Sequence, residues 1–267
     1  MSLVGGLAAR TTKKNVTRLF LVTAGAGAMT WALVVAPVFW PESVIANVAS
    51  AVVAGETFKP DVLAAVEALT ENSGGRELRS SMLGKAAVIR LRQAEDSLRG
   101  GSPDLAKERL ESLQQIVDRT FQNAPEDSLL WLTAFWLDST RHGLRPDGLR
   151  FLRMSYDLGP YEGWIAIRRN GAALTAYSIL PSDLAERAIA EFVGMVRWGL
   201  VNEAAAIAAG PGRQLRNILF ARLKDLSEEQ RRAFANAIYG RELDDVPVPG
   251  IAPPVLSVPM PVMPPDL

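Results

Sequence analysis

Six arginines crowd one stretch of the chain: Arg141, Arg145, Arg150, Arg153, Arg168 and Arg169. Only Asp147, Asp157 and Glu162 oppose them there. A guanidinium presents a planar fork of donors that matches a carboxylate or phosphate in bidentate fashion. If Arg150 and Arg153 share a face with the following helix, then Arg150, Arg153, Arg168 and Arg169 would line a groove for an acidic peptide or anionic polymer.

Other chemistry is sparse. The chain has no cysteine, which removes disulfides, thiolate metal sites and thiol nucleophiles. His142 is the single histidine and falls between Arg141 and Gly143, so a zinc site would have to rely on carboxylates, which suit zinc poorly. No nucleophile elbow and no phosphate loop occurs. Asp104, Glu126, Asp127, Asp183 and Glu228 stand at helix starts, where an acid complements the helix dipole. The expectation is a non-enzyme without metal or cofactor.

Charge narrows the partners. The 267 residues carry 29 basic and 29 acidic side chains, yet Arg10, Lys13, Lys14 and Arg18 precede the first acid, Glu42. The body therefore holds 25 basic against 29 acidic residues. An acidic balance argues against nucleic acid, whose phosphates require a basic face.

Residues 19–41 run 23 positions without a charge. About 20 helical residues cross a hydrocarbon core of roughly 30 Å, so this stretch is predicted to be a retained transmembrane helix. The basic tail 1–18 is then cytoplasmic, and all that follows residue 41 lies outside the cytoplasm. In a bacterial cell this is a single-pass inner-membrane protein with a periplasmic body. Ala24, Ala28, Ala32 and Ala36 recur every four residues and form a small-residue face open to a partner helix.

After a connecting segment, 42–59, punctuation divides 60–245 into helices. Val62, Leu63, Val66 and Leu69 mark one apolar stripe. Gly100-Gly101, Ser102-Pro103, Pro125, Gly143, Pro146, Pro160, Pro181 and Gly210-Pro211-Gly212 bound the rest, and Ser227 with Gln230 fits a capping box. Trp131, Phe135 and Trp136 lie on a helix apolar nearly all round and are expected in the core. No window alternates long enough for a strand. The fold class is all-α. Residues 246–267 hold eight prolines among 22 positions and are expected to form a disordered or polyproline tail.

The unit 129–162 places Leu132, Phe135, Gly148, Leu152, Ser155 and Pro160 along a helix–turn–helix that ends in proline. It resembles the tetratricopeptide repeat, and the chain is similar to divergent repeat proteins of bacterial envelopes. Trp136 departs from the small residue usual there. The resemblance implies an α-solenoid scaffold or adaptor for partner proteins of an envelope assembly, with a surface-polysaccharide system among the settings it suggests. A structural subunit of a larger membrane complex is the alternative, and an enzyme of unrecognised type the second.

Overall fold

A computed structural model describes residues 21–33, 43–52, 58–71, 80–160, 162–241, 243 and 246–252. Its α-helices are α1 (21–33), α2 (43–52), α3 (Pro60–Glu71), α4 (Ser80–Gly100), α5 (Pro103–Asn123), α6 (Ser128–His142), α7 (Leu149–Leu158), α8 (Gly163–Thr175), α9 (Ser182–Arg197), α10 (Val201–Ala209), α11 (Arg216–Ala221) and α12 (Glu228–Tyr239). Short 3-10 turns precede α7 and flank α11, and another follows α8. The described residues contain no strand, so the chain is all-α.

Two compact units divide the chain within α4, the first Met1–Asp96 and the second Ser97–Leu267. The boundary falls within the stretch 60–245 expected to form one domain. In the first unit, Ile45, Ala49 and Val52 recur at helical spacing on α2 and are buried. The stripe on α3 is narrower than its sequence suggests, because Leu63 and Val66 are buried while Val62 and Leu69 are exposed. Glu67 joins α3 to α4, accepting from Gln93 Nε2 at 3.1 Å with Arg90 Nε at 3.5 Å.

No described helix is long and apolar enough to cross a membrane. The 13 residues of α1 rise only about 20 Å. The remainder of the span expected over 19–41 lies outside the described residues.

In the second unit α6 and α7 fold back on each other as a hairpin. Asp127 caps α6, accepting from the Leu129 and Leu130 amides at 2.9 and 3.3 Å. Gly143, at φ +77°, turns the chain out of α6. Small residues then let α7 lie close. A Cβ at Gly148 would stand 2.6 Å from Asp138 Oδ2, and one at Gly159 would stand 2.7 Å from Ser128 Cβ. Ser155 and Leu152 are fully buried between them. Phe135 is core as expected, but Trp131 and Trp136 are only half-buried. The reason for Trp131 is its amphipathic ring: Nε1 donates to the Pro125 carbonyl at 2.6 Å while the ring face meets Phe121, centroids 4.5 Å apart.

Helices α8 and α9 contact each other as a second hairpin, with Ile165, Ala166, Ala173 and Leu174 buried on α8 and Leu184, Ala188, Phe192 and Met195 on α9. The Schellman bonds Leu200 N–H to Met195 O (2.9 Å) and Gly199 N–H to Val196 O (3.2 Å) end α9, with Gly199 at φ +84°. Helices α10 and α12 complete the unit, and Phe192, Phe220 and Phe234 meet edge to face at its centre.

The capping box predicted from sequence is present: Gln230 N–H donates to Ser227 Oγ at 3.2 Å, and Ser227 N–H to Gln230 Oε1 at 3.1 Å. Ser227→Ala should lower the unfolding free energy by about 1 kcal/mol in urea titrations, and Ser227→Asp should restore most of it.

Residues 246–252 are not the start of a loose tail. Val248 is 1 % exposed, Arg231 Nη1 donates to the Pro249 carbonyl at 2.5 Å, and Gly250 turns at φ +72°, a conformation that favours glycine. Proline forbids a ladder there, but it does not forbid a strap packed on a helix. The rest of the segment expected to be disordered, 253–267, lies outside the described residues.

Candidate functional site

The second unit has a concavity of about 590 Å³ beside Arg232, Asn236, Tyr239 and Gly250, and a cleft of about 520 Å³ between the end of α7 and the length of α9; only the second is lined by both acids and arginines, and its size is that of ordinary binding sites. Arg187, Ala190, Glu191, Gly194 and Arg197 line it from α9 at spacings of three and four, so one helix face forms the wall. Tyr156, Asp157 and Pro160 form the opposite wall, and Trp198 closes one end.

Behind two of its lining residues, Glu191 and Tyr156, lies an arginine buried completely. Arg169 is 0 % exposed and spends every nitrogen of its fork. Nε and Nη2 donate to Glu191 Oε1 at 2.9 and 2.6 Å. Nη1 donates to the Ser155 carbonyl at 2.6 Å, and Nη2 also to the Gly159 carbonyl at 2.8 Å. The last two acceptors stand at the C-terminal end of α7, where the dipole is negative; the Ser155 carbonyl also accepts the Gly159 amide at 3.2 Å. The guanidinium carbon also sits 4.3 Å from the centroid of the Tyr156 ring.

Tyr156 completes the network by donating its hydroxyl to Glu191 Oε2 at 2.8 Å. Burial pushes the Glu191 carboxyl up from the usual glutamate range, with Arg169 and then Tyr156 holding it down in part. Burial, reinforced by the neighbouring Glu191 charge, puts the Tyr156 phenol well above its ordinary value. The hydroxyl thus stays protonated and donates to Glu191.

The rim is built from exposed pairs. Arg187 Nη1 meets Asp157 Oδ1 at 2.5 Å, and Arg153 grips Asp183 through both oxygens. Both pairs bridge α7 and α9, and Arg153 holds the Asp183 carboxyl below its usual range. Exposed pairs of this kind contribute little to stability, about 0–1 kcal/mol each.

No protein-family model matches this chain, and neither does any curated protein or solved structure. The site therefore has to be read from its own residues.

The four arginines expected to form an anion groove do not assemble. Arg169 is enclosed in the core, because it sits on the buried stripe of α8 with Ile165, Ala166, Asn170, Ala173 and Leu174. Arg153 is committed to Asp183, and Arg150 lays its guanidinium 4.7 Å from the Phe151 ring centroid. Arg168 is half-buried and does not line the cleft. The cations at the cleft are instead Arg187 and Arg197, which spacing did not single out. Ala24, Ala28 and Ala32 are exposed on α1, while Ala36 lies outside the described residues. His142 is exposed and contacts Asp138 Oδ1 at 3.0 Å. Among the described residues no group of three or more His, Asp or Glu could hold a metal ion.

A sequence signal for the cleft did exist. Trp198 lies four residues after Gly194, and its Cη2 would be 3.3 Å from a Cβ placed there. The missing side chain lets the indole lie over the end of α9.

Proposed function

We propose that the chain is a membrane-anchored helical scaffold that holds a partner protein on the extracytoplasmic side. One observation carries the anchor. Helix α1 contains no charge, and its large apolar side chains stand open, with Leu21, Val22, Met29, Trp31 and Leu33 between 63 and 72 % exposed. Water covers such a surface poorly, so an uncovered apolar helix calls for lipid or another apolar helix. The unbroken charge-free run 19–41 and the basic tail before it support insertion with the N-terminus in the cytoplasm. The stacked hairpins α6–α7 and α8–α9, with Gly148 and Ser155 at the close approach, support a tetratricopeptide-like body. Such arrays present elongated grooves to other proteins, and a tether raises their local concentration at the membrane.

Fractionation tests this directly. The full chain should remain with membranes after alkaline carbonate washing, and a form lacking residues 1–41 should be released. A periplasm-dependent reporter fused after residue 60 should be active, and replacing Arg10, Lys13, Lys14 and Arg18 with glutamine should weaken that bias. Activity of a cytoplasm-only reporter at the same position would reverse the topology.

A further inference from the structure

We infer that the α7–α9 cleft binds an extended acidic peptide, seating an apolar side chain on Trp198 and an adjacent Asp or Glu on Arg197. The inference rests on the scaffold reading only for the nature of the ligand, a segment of protein.

Charge decides the sign. The cleft is lined by two acids and two arginines, and both acids are already engaged. Glu191 is held by buried Arg169, and Asp157 by Arg187. Arg197 remains: it is exposed, it lines the cleft, and among the described residues its guanidinium has no ion-pair partner. The open site is therefore positive by one charge, and a carboxylate is the group it complements. Trp198 is 46 % exposed immediately beside that cation. Its indole lies along Gly194, so one face is supported while the ring remains accessible from the cleft. The Schellman turn at Gly199 fixes the backbone that carries both residues. Aromatic and arginine side chains held in place this way are the usual anchors of protein recognition.

Shape selects an extended chain over a compact metabolite. From Arg187 to Trp198 the wall runs 11 residues of helical rise, about 16 Å. About five residues of extended peptide cover that length. Glu191 and Tyr156 give this trough a polar lining, and Ala190, Gly194 and Pro160 leave it shallow enough for a backbone.

The test uses the full chain purified in mild detergent and an array of synthetic hexapeptides. Each peptide pairs one Asp or Glu with one apolar residue at spacings of one to three, beside a twin carrying Asn or Gln. Acidic members should be retained and their amide twins should not. For the best-retained peptide, fluorescence anisotropy should show affinity lost at least about tenfold in Arg197→Gln and in Trp198→Ala. Rising salt should weaken the native protein toward the Arg197→Gln value, since an exposed cation is screened within about 8–10 Å. Arg222→Gln, whose ion pair with Glu186 lies away from the cleft lining, should bind as the native chain does. Circular dichroism of each variant establishes that it is folded. Equal retention of acidic and amide peptides overturns the inference, as does unchanged affinity in both cleft variants. Retention of oligogalacturonate fragments and of no peptide would also overturn it. Membrane release and reporter topology decide the scaffold reading separately, so either can fail while the other stands.

Discussion

Arg169→Met should destabilise the second unit by about 3–5 kcal/mol and lower its melting temperature by on the order of 10 °C. The cause is less the loss of hydrogen bonds than the carboxylate left behind. Glu191 is buried, and without Arg169 only the Tyr156 hydroxyl is left among the two groups that most hold its proton affinity down. The sign of the pH effect follows. A carboxyl raised in the folded state binds a proton there before it does in the unfolded chain, so stability is gained as pH falls through the raised value and lost as pH climbs back. The deficit of the variant relative to the native chain should therefore narrow between pH 7 and pH 5. Arg169→Met combined with Glu191→Met should recover most of the loss, because replacing both members of a buried pair is far milder than orphaning one. Thermal melts followed by circular dichroism at the two pH values check this. A deficit under 1 kcal/mol that ignores pH would mean that Glu191 is hydrated rather than enclosed.

Phe234→Ala should be comparably damaging, by about 3–5 kcal/mol, through packing alone. Its ring is fully buried and receives Phe192 on one side at 5.8 Å and Phe220 on the other at 5.3 Å, both nearly perpendicular. Truncation opens a cavity where three helices meet and removes two aromatic pairs at once. Unlike Arg169→Met, this loss should be flat between pH 5 and pH 7. Ile218→Ala, on the exposed side of α11, should cost well under 1 kcal/mol. Urea titration of the two variants against the native chain separates them, and similar midpoints for both would show that the aromatic cluster does not carry the packing.

Helices were legible in the sequence wherever punctuation has a local physical cause. Ser102-Pro103 before α5, Gly210-Pro211-Gly212 between α10 and α11, and the Ser227–Gln230 box each act within a few residues, and each stands where the pattern put it. Trp131 was misplaced because an indole can bury its face and keep its nitrogen near the surface, which hydrophobicity does not register. The arginines failed for a related reason. A guanidinium on a long stem suits solvent, a rim or the interior, and only the element it sits on chooses among them. The clue for Arg169 was its place four residues after Ile165 and four before Ala173, on the stripe that a helix turns inward. The cleft was the least legible feature. Its walls come from residues 156–160 and 187–198, and nothing local announces that those stretches face each other.

Arg169 ties together groups that lie 14, 10 and 22 residues away along the chain: the Ser155 carbonyl, the Gly159 carbonyl and the Glu191 carboxylate. None of the three can be engaged by a guanidinium still in water without loss of its hydration, and the full set exists only once α7, α8 and α9 have docked. The loop-closure cost is then met in one step, and the reward is withheld until it is complete. Such a hub makes partly assembled forms of these three helices poor in energy, so they gain and lose their structure together. Repeat-like arrays ordinarily fray from their ends one helix pair at a time. Here the polar knot ties the second hairpin to the end of the first, which works against fraying between them.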